Sequence, residues 1–173
     1  MKRIQKPEEG EYNPYAIMYI SLLPDDGLVL KHLKENFKTT KDLILSLPGE
    51  KLTYRYAEAK WTIKEILVHI MDDERIYAYR ALRFARNDKT ELPGFEQDDY
   101  VPYSKANERS LKDIFLEYST IRNSTILLFK SFDNEDLLRV GIANRHAVSV
   151  RALAYHIAGH EMHHVNIIKE RYL

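Results

Sequence analysis

Apolar residues recur at three- and four-residue intervals along four stretches of the chain, and Pro, Gly and Asn break the intervals between them. Positions so spaced share one face of a helix, so the pattern predicts four amphipathic helices. The first carries Leu30, Leu33, Phe37, Ile44 and Leu47; Asp25 and Asp26 can cap its start, and Pro48-Gly49 end it. The second has the clearest start, a T-x-x-E capping box of Thr62 and Glu65, with Trp61 placed to staple onto Ile66. Its face of Ile63, Ile66, Leu67, Ile70, Tyr77, Ala81, Leu82 and Phe84 runs to about Arg86. The third opens on a weaker box, Ser110 and Asp113, and carries Leu111, Ile114, Phe115, Tyr118, Ile121, Leu128 and Phe132. The fourth follows a cap at Ser149 and runs from Val150 to Leu173. There is no convincing run of strand alternation and no internal repeat. The expected fold class is all-α, a four-helix bundle with long inter-helix connections.

Those connections differ in character. Residues 1–24, broken by Pro7, Gly10, Pro14 and Pro24, are expected to form an irregular arm that Tyr12, Tyr15, Tyr19, Ile20 and Leu22 pack onto the bundle. Residues 87–109 make an unusually long link, and long links inside compact domains are often functional. Phe95, Tyr100 and Tyr103 could anchor it across a site as a lid; the plainer reading is a crossover between distant corners of the bundle. Residues 133–148 are a second connection, with Gly141 and Asn144 as turn residues.

Totals change this picture little. A chain of 173 residues fits one domain, residues 1–173, and can bury roughly 70% of its unfolded surface. Lys plus Arg equals Asp plus Glu at 26 each, so no global field draws the protein to nucleic acid or an anionic membrane. The lack of cysteine excludes disulfides and thiolate ligands and fits a cytoplasmic location. No signal-peptide pattern opens the chain, and no apolar run approaches the roughly 20 residues of a membrane span. A soluble protein acting on a small molecule is expected. A homodimer that buries the arm is the commonest kind of oligomer.

The informative chemistry lies in the last helix. His156, His160, His163 and His164 are four of the seven histidines of the chain. One helical row runs Val150, Leu153, Ile157, His160, His164 and Ile168, so two imidazoles continue an apolar stripe. Imidazoles at i and i+4 point at one spot and are common metal ligands; His156 with His160 has the same spacing. Residues 160–164 also spell H-E-x-x-H, the zinc-protease signature. Only nine residues follow His164, too few for the usual downstream ligand, and Glu161 points away from the row of His160 and His164. A third ligand would therefore come from upstream, with His69 on the second helix the best candidate and Asp73 a partner for an imidazole N–H. His156 and His163 are expected at the surface or around the site. Glu74 falls near the middle of an apolar face, where an ion pair with an arginine such as Arg151 is favoured over catalysis.

Residues 61–100 and 149–173 resemble the DinB/YfiT-like metalloenzyme superfamily, closest to its bacillithiol transferase branch. The likeness rests on the W-T-x-K-E…H start, the segment E-R-I-Y-A-Y-R, the L-P-G-F loop and the terminal H-x-x-x-H. It implies a four-helix bundle with a divalent metal, zinc or nickel, on His69, His160 and His164, which resolves the choice between the two i,i+4 pairs. It also implies an enzyme that activates a low-molecular-weight thiol for S-transfer, or a water for hydrolysis. Asp73 or Glu74 would then orient a ligand or accept a proton. The alternative is a non-catalytic bundle with a structural metal or none.

Overall fold

The computed structural model describes residues 2–173; Met1, the first residue of the expected arm, lies outside the described residues. The elements are α1 (Ile17–Ile20), α2 (Val29–Leu45), α3 (Ile63–Ala85), α4 (Gln97–Tyr100), α5 (Leu111–Ser131), α6 (Asn134–Leu138), β1 (Val140–Ala143), β2 (His146–Ser149) and α7 (Val150–Arg171), with short 3-10 turns between some of them. The long helices α2, α3, α5 and α7 are the four that the periodicity predicts.

Their starts follow local chemistry. The Thr62 box is complete: Thr62 Oγ1 accepts from Glu65 N at 3.1 Å, and the Glu65 carboxylate accepts from Thr62 N at 2.7 Å. Ser110 and Ser149 accept from Asp113 N and Ala152 N, each at 3.1 Å. The expected Asp25/Asp26 cap needs correction. α2 begins after Leu28 with no side-chain cap. Asp26 instead accepts from Leu28 N at 2.8 Å and meets His32 Nε2 at 2.9 Å, so it shapes the turn before the helix. The arm is regular over a few residues, with α1 and a 3-10 turn at Pro14–Ala16, and it buries Ile4, Tyr19, Ile20 and Leu23.

The second correction is a small antiparallel hairpin where no strand was expected. β1 pairs with β2 from Val140↔Ser149 to Ala143↔His146, around Asn144 and Arg145 at positive φ. Strands of four residues are too short for an alternating pattern to stand out in sequence. Gly141 is a strand residue and not the expected turn residue, and glycine is required there because a Cβ would sit 2.1 Å from the Phe84 ring. Leu92 runs alongside, donating to Ile142 O and accepting from Asn144 N, each at 2.9 Å, which ties the long connection to the hairpin.

The apolar core falls into two groups stacked along the bundle. One joins the start of α2 and α7 to the end of α3 and α5; the other joins the opposite ends. Hence α2 and α7 run one way and α3 and α5 the other. α7 and α5 each pack on both α2 and α3. Because α3 and α5 are parallel, the 87–109 connection must return along a 23-residue helix, about 35 Å. It is a crossover for that reason.

Between the two apolar groups lies a polar layer in which Arg122 of α5 is 2% exposed. Its guanidinium donates to Glu74 of α3 (3.0 and 2.8 Å), Glu161 of α7 (2.7 Å), and the carbonyl of Leu33 in α2. Thr40 of α2 donates to the other Glu161 oxygen at 2.7 Å. All four long helices thus meet at one guanidinium.

The arm approaches α7 closely. A Cβ at Gly159 would lie 2.2 Å from Tyr19 O, so the backbone of the arm sits where a side chain would be. Gly159→Ala is expected to destabilise the protein by about 1–3 kcal/mol, as overpacking does, and to loosen residues 12–23. Amide exchange across the arm checks this, and unchanged protection would contradict it.

Candidate metal centre

His69 lies in the first half of α3, and His160 and His164 lie one turn apart in α7. Because these helices are antiparallel neighbours, the three imidazoles meet. His160 Nε2 is 3.0 Å from His69 Nε2 and 3.1 Å from His164 Nε2, and the three ligand atoms all lie within 4.8 Å of one another. A neutral imidazole nitrogen carries either one proton or one lone pair, so His160 Nε2 cannot make a good hydrogen bond to both neighbours. A shared cation would meet all three. Two nitrogens each about 2.0–2.1 Å from zinc lie no more than about 4.2 Å apart, and both short separations fall inside that limit. The donor set therefore fits a divalent ion.

Burial reinforces the fit. His69 and His160 are buried and His164 is partly exposed. Desolvation pushes His160 down to about 3, lowers His69, and holds His164 well below the ordinary range. All three are neutral at pH 7, the form that ligates a metal.

Asp73, one turn along α3 from His69, stands behind them. Its Oδ2 is 3.4 Å from His160 Nδ1 and 3.3 Å from His156 Nε2, but off-line for a hydrogen bond, so Oδ2 and His156 Nε2 count as buried atoms without a hydrogen-bonding partner. Burial alone would raise this carboxyl; the imidazoles of His160 and His156 outweigh it and hold the group well below the usual carboxylate range. A proton on His160 Nδ1 facing Asp73 leaves the Nε2 lone pair directed at the cluster.

Aromatic rings wall the site. Tyr77 stacks on His156 with centroids 3.7 Å apart, and Tyr19 stands edge-on to His156, His160 and His163 at 5.0, 5.3 and 5.3 Å. Trp61 lies 4.8 Å from the His69 ring and near-parallel to His164 at 6.3 Å, so this residue lines the site. His156 is buried rather than superficial. A cleft of about 160 Å³ opens from His160, His156 and Asp73 between the arm, α3 and the hairpin. On the opposite side a second cleft holds Trp61, His164 and Asp98.

The long connection borders both clefts, Phe95 and Gln97 on the first and Asp98 on the second. Tyr100 packs on Phe95 at 5.5 Å, but Tyr103 is 85% exposed and anchors nothing. Glu74 is taken up by Arg122, and Arg151 pairs with Glu11 of the arm, so the expected Glu74–Arg151 pair does not form. Glu161 is also held by Arg122, on the side of α7 away from the histidines. The glutamate of the literal H-E-x-x-H is thus structural. Tyr77 and Arg80 border the cleft although the sequence reading gave them no role; their i+4 and i+7 spacing from Asp73 was the available signal.

The family model described as the DinB superfamily matches residues 32–168. No curated protein matches the sequence. Among solved structures, YfiT from Bacillus subtilis superposes with a TM-score of 0.69 at 14% identity, covering 95% of this chain and 90% of its own; it is described as a probable metal-dependent hydrolase with an unusual four-helix bundle topology. YjoA, a DinB-like protein also from Bacillus subtilis, superposes with a TM-score of 0.59 at 18% identity, covering 82% of this chain and 87% of its own. With its bundle and a family match over most of its length, the chain belongs to the DinB superfamily.

Proposed function

We propose that the protein is a metal-dependent enzyme that activates a small nucleophile, with His69, His160 and His164 as the ligands. The observation that carries this is the meeting of three neutral imidazole nitrogens at His160 Nε2 beside an open cleft. A divalent cation held there, zinc or nickel as the family resemblance implies, would supply Lewis acidity that brings a weak acid toward ionisation at neutral pH. Asp73 faces the Nδ1 side of His160 at 3.4 Å, where its charge favours the tautomer that turns the Nε2 lone pair to the cluster, and His156 Nε2 lies 3.3 Å from the same oxygen. Tyr19, Tyr77 and Trp61 exclude bulk water from the ring edges, and the cleft receives the substrate. YfiT, described as a probable metal-dependent hydrolase, supports the general class.

Two nucleophiles suit this site, a small thiol and a water. Hydrolysis benefits from a free general base: Glu74 and Glu161 are held by Arg122 and Asp73 stands against two imidazoles, while Asp98, beside His164 in the second cleft, has no ion-pair partner among the described residues and is the carboxylate placed for that role. A thiolate needs no base once formed. The chain has no cysteine, so the thiol arrives with a cosubstrate. The test is a panel of small thiols with a chlorodinitroarene, where sulfur displaces chloride and the thiol proton passes to solvent, run with and without added zinc or nickel. Thiol-dependent turnover that requires metal and disappears in His160→Ala is expected. Metal-dependent ester hydrolysis without thiol turnover would assign water instead, and neither activity would leave a non-catalytic bundle.

A further inference from the structure

Arg80 lies two turns along α3 from Asp73, on the same helical face as His69, Asp73 and Tyr77. It is 5% exposed, and no carboxylate of the described residues pairs with it. Its guanidinium lies 4.8 Å from the Tyr77 ring centroid and 5.9 Å from that of Phe95, and one amino group donates to Pro93 O at 2.9 Å. Aromatic faces and one carbonyl leave most of its five N–H donors without a charged acceptor. The contrast with Arg122 is sharp, since that equally buried guanidinium is matched by two carboxylates. Burying an unpaired cation is costly, and a fork of donors at a cleft wall is the usual receptor for a planar or tetrahedral oxyanion.

Charge in the cleft is otherwise sparse. Of the residues lining it, Arg80 is the only lysine or arginine and Asp73 the only carboxylate, the latter already against His156 and His160. Tyr15, Asn13 and Asn144 supply neutral polar groups around the opening. The cleft therefore has a cation at one end and Asp73, His156 and His160 at the other; Arg80 and Asp73 are seven residues apart on α3, about 10 Å along the helix axis.

We propose that Arg80 is the anion anchor of the substrate cleft: it binds a carboxylate or phosphate of the substrate or cosubstrate and directs the reacting end toward the histidine cluster. This rests on the reading of the cleft as the substrate site, but anion binding at Arg80 does not require the metal. The Tyr77 and Phe95 rings pack near the guanidinium and Pro93 O accepts from it, so the fork is held before the ligand arrives. A neutral molecule of equal size would leave the guanidinium unpaired.

The test uses the full-length protein in a non-anionic buffer, titrated with propionate, inorganic phosphate and, as the neutral isostere, propionamide. Binding is followed by the Arg80 side-chain NMR resonances, and metal content is measured on the same samples. Propionate, phosphate or both should shift the Arg80 signals saturably, and propionamide should not; which anion does so identifies the head group. Arg80→Gln should weaken that binding by about 10- to 100-fold, the range for a lost hydrogen bond to a charged group. Arg80→Lys should keep part of it, and both should keep wild-type metal stoichiometry. Equal response to anion and amide, or no response to either anion, would overturn the proposal, and so would undiminished anion binding in both variants. A protein that binds propionate at Arg80 but takes up no metal would uphold this anchor while removing the proposed chemistry.

Discussion

Replacing Arg122 with Met is expected to lower the unfolding free energy by about 3–5 kcal/mol, the usual cost of removing one partner from a buried ion pair. The guanidinium reaches Glu74, Glu161, the hydroxyl of Tyr118 and the Leu33 carbonyl. Two carboxylates at 1% and 0% side-chain exposure would be left without a counter-charge. Against a typical total of about 5–15 kcal/mol, such a loss brings the protein close to unfolding at ambient temperature. The network itself is a different matter. A triple replacement, Arg122→Met with Glu74→Leu and Glu161→Leu, is expected to recover most of the loss or exceed wild type, since apolar isosteres avoid the desolvation cost. Urea midpoints at constant slope measure both effects. A single-mutant loss below about 1 kcal/mol would contradict this account of the polar layer.

The second large effect concerns metal uptake. His160 Nε2 is common to both short nitrogen separations, so His160→Ala removes the centre of the cluster. One equivalent of zinc or nickel is expected on wild type and essentially none on His160→Ala, a loss of affinity beyond about 100-fold. That bound follows because disturbing an outer-shell partner alone costs about 10–100-fold, which is the effect expected for Asp73→Asn. Saturating metal at 100 times Kd should also stabilise wild type by about 2.7 kcal/mol and leave His160→Ala unmoved. Dialysis against chelator followed by metal analysis and thermal melts gives the answer. Equal metal content in wild type and His160→Ala would place the metal elsewhere.

How far the sequence carried this picture depended on the range of the interaction. Thr62, Ser110 and Ser149 marked helix starts because a cap acts over three residues. Apolar periodicity found the four long helices for the same reason. His69 stands out in the sequence as a histidine beside a core face on another long helix, but choosing the His160/His164 pair over His156/His160 rests on the family resemblance, since both pairs have the same spacing and nothing local says which one faces α3. The Glu74 partner shows the limit most clearly: charge alone made Arg151 as acceptable as Arg122, and only the stacking of α5 against α3 chooses between them. The hairpin was hidden by its four-residue strands, and Arg80 by being one arginine among many until its burial was known.

The order of the long helices also affects how the chain can fold. Chain-adjacent α2 and α3, like α5 and α7, face partners other than each other, and the principal packing of α7 is on α3. The His69–His160 approach spans 91 residues of sequence. Contacts of such separation close large loops before they return any energy, which slows folding relative to bundles built from local helical hairpins. During synthesis, α7, which gathers the histidines, is the last of the four long helices to emerge. The nascent chain must therefore wait for α7 before it can complete the bundle and acquire its proposed metal.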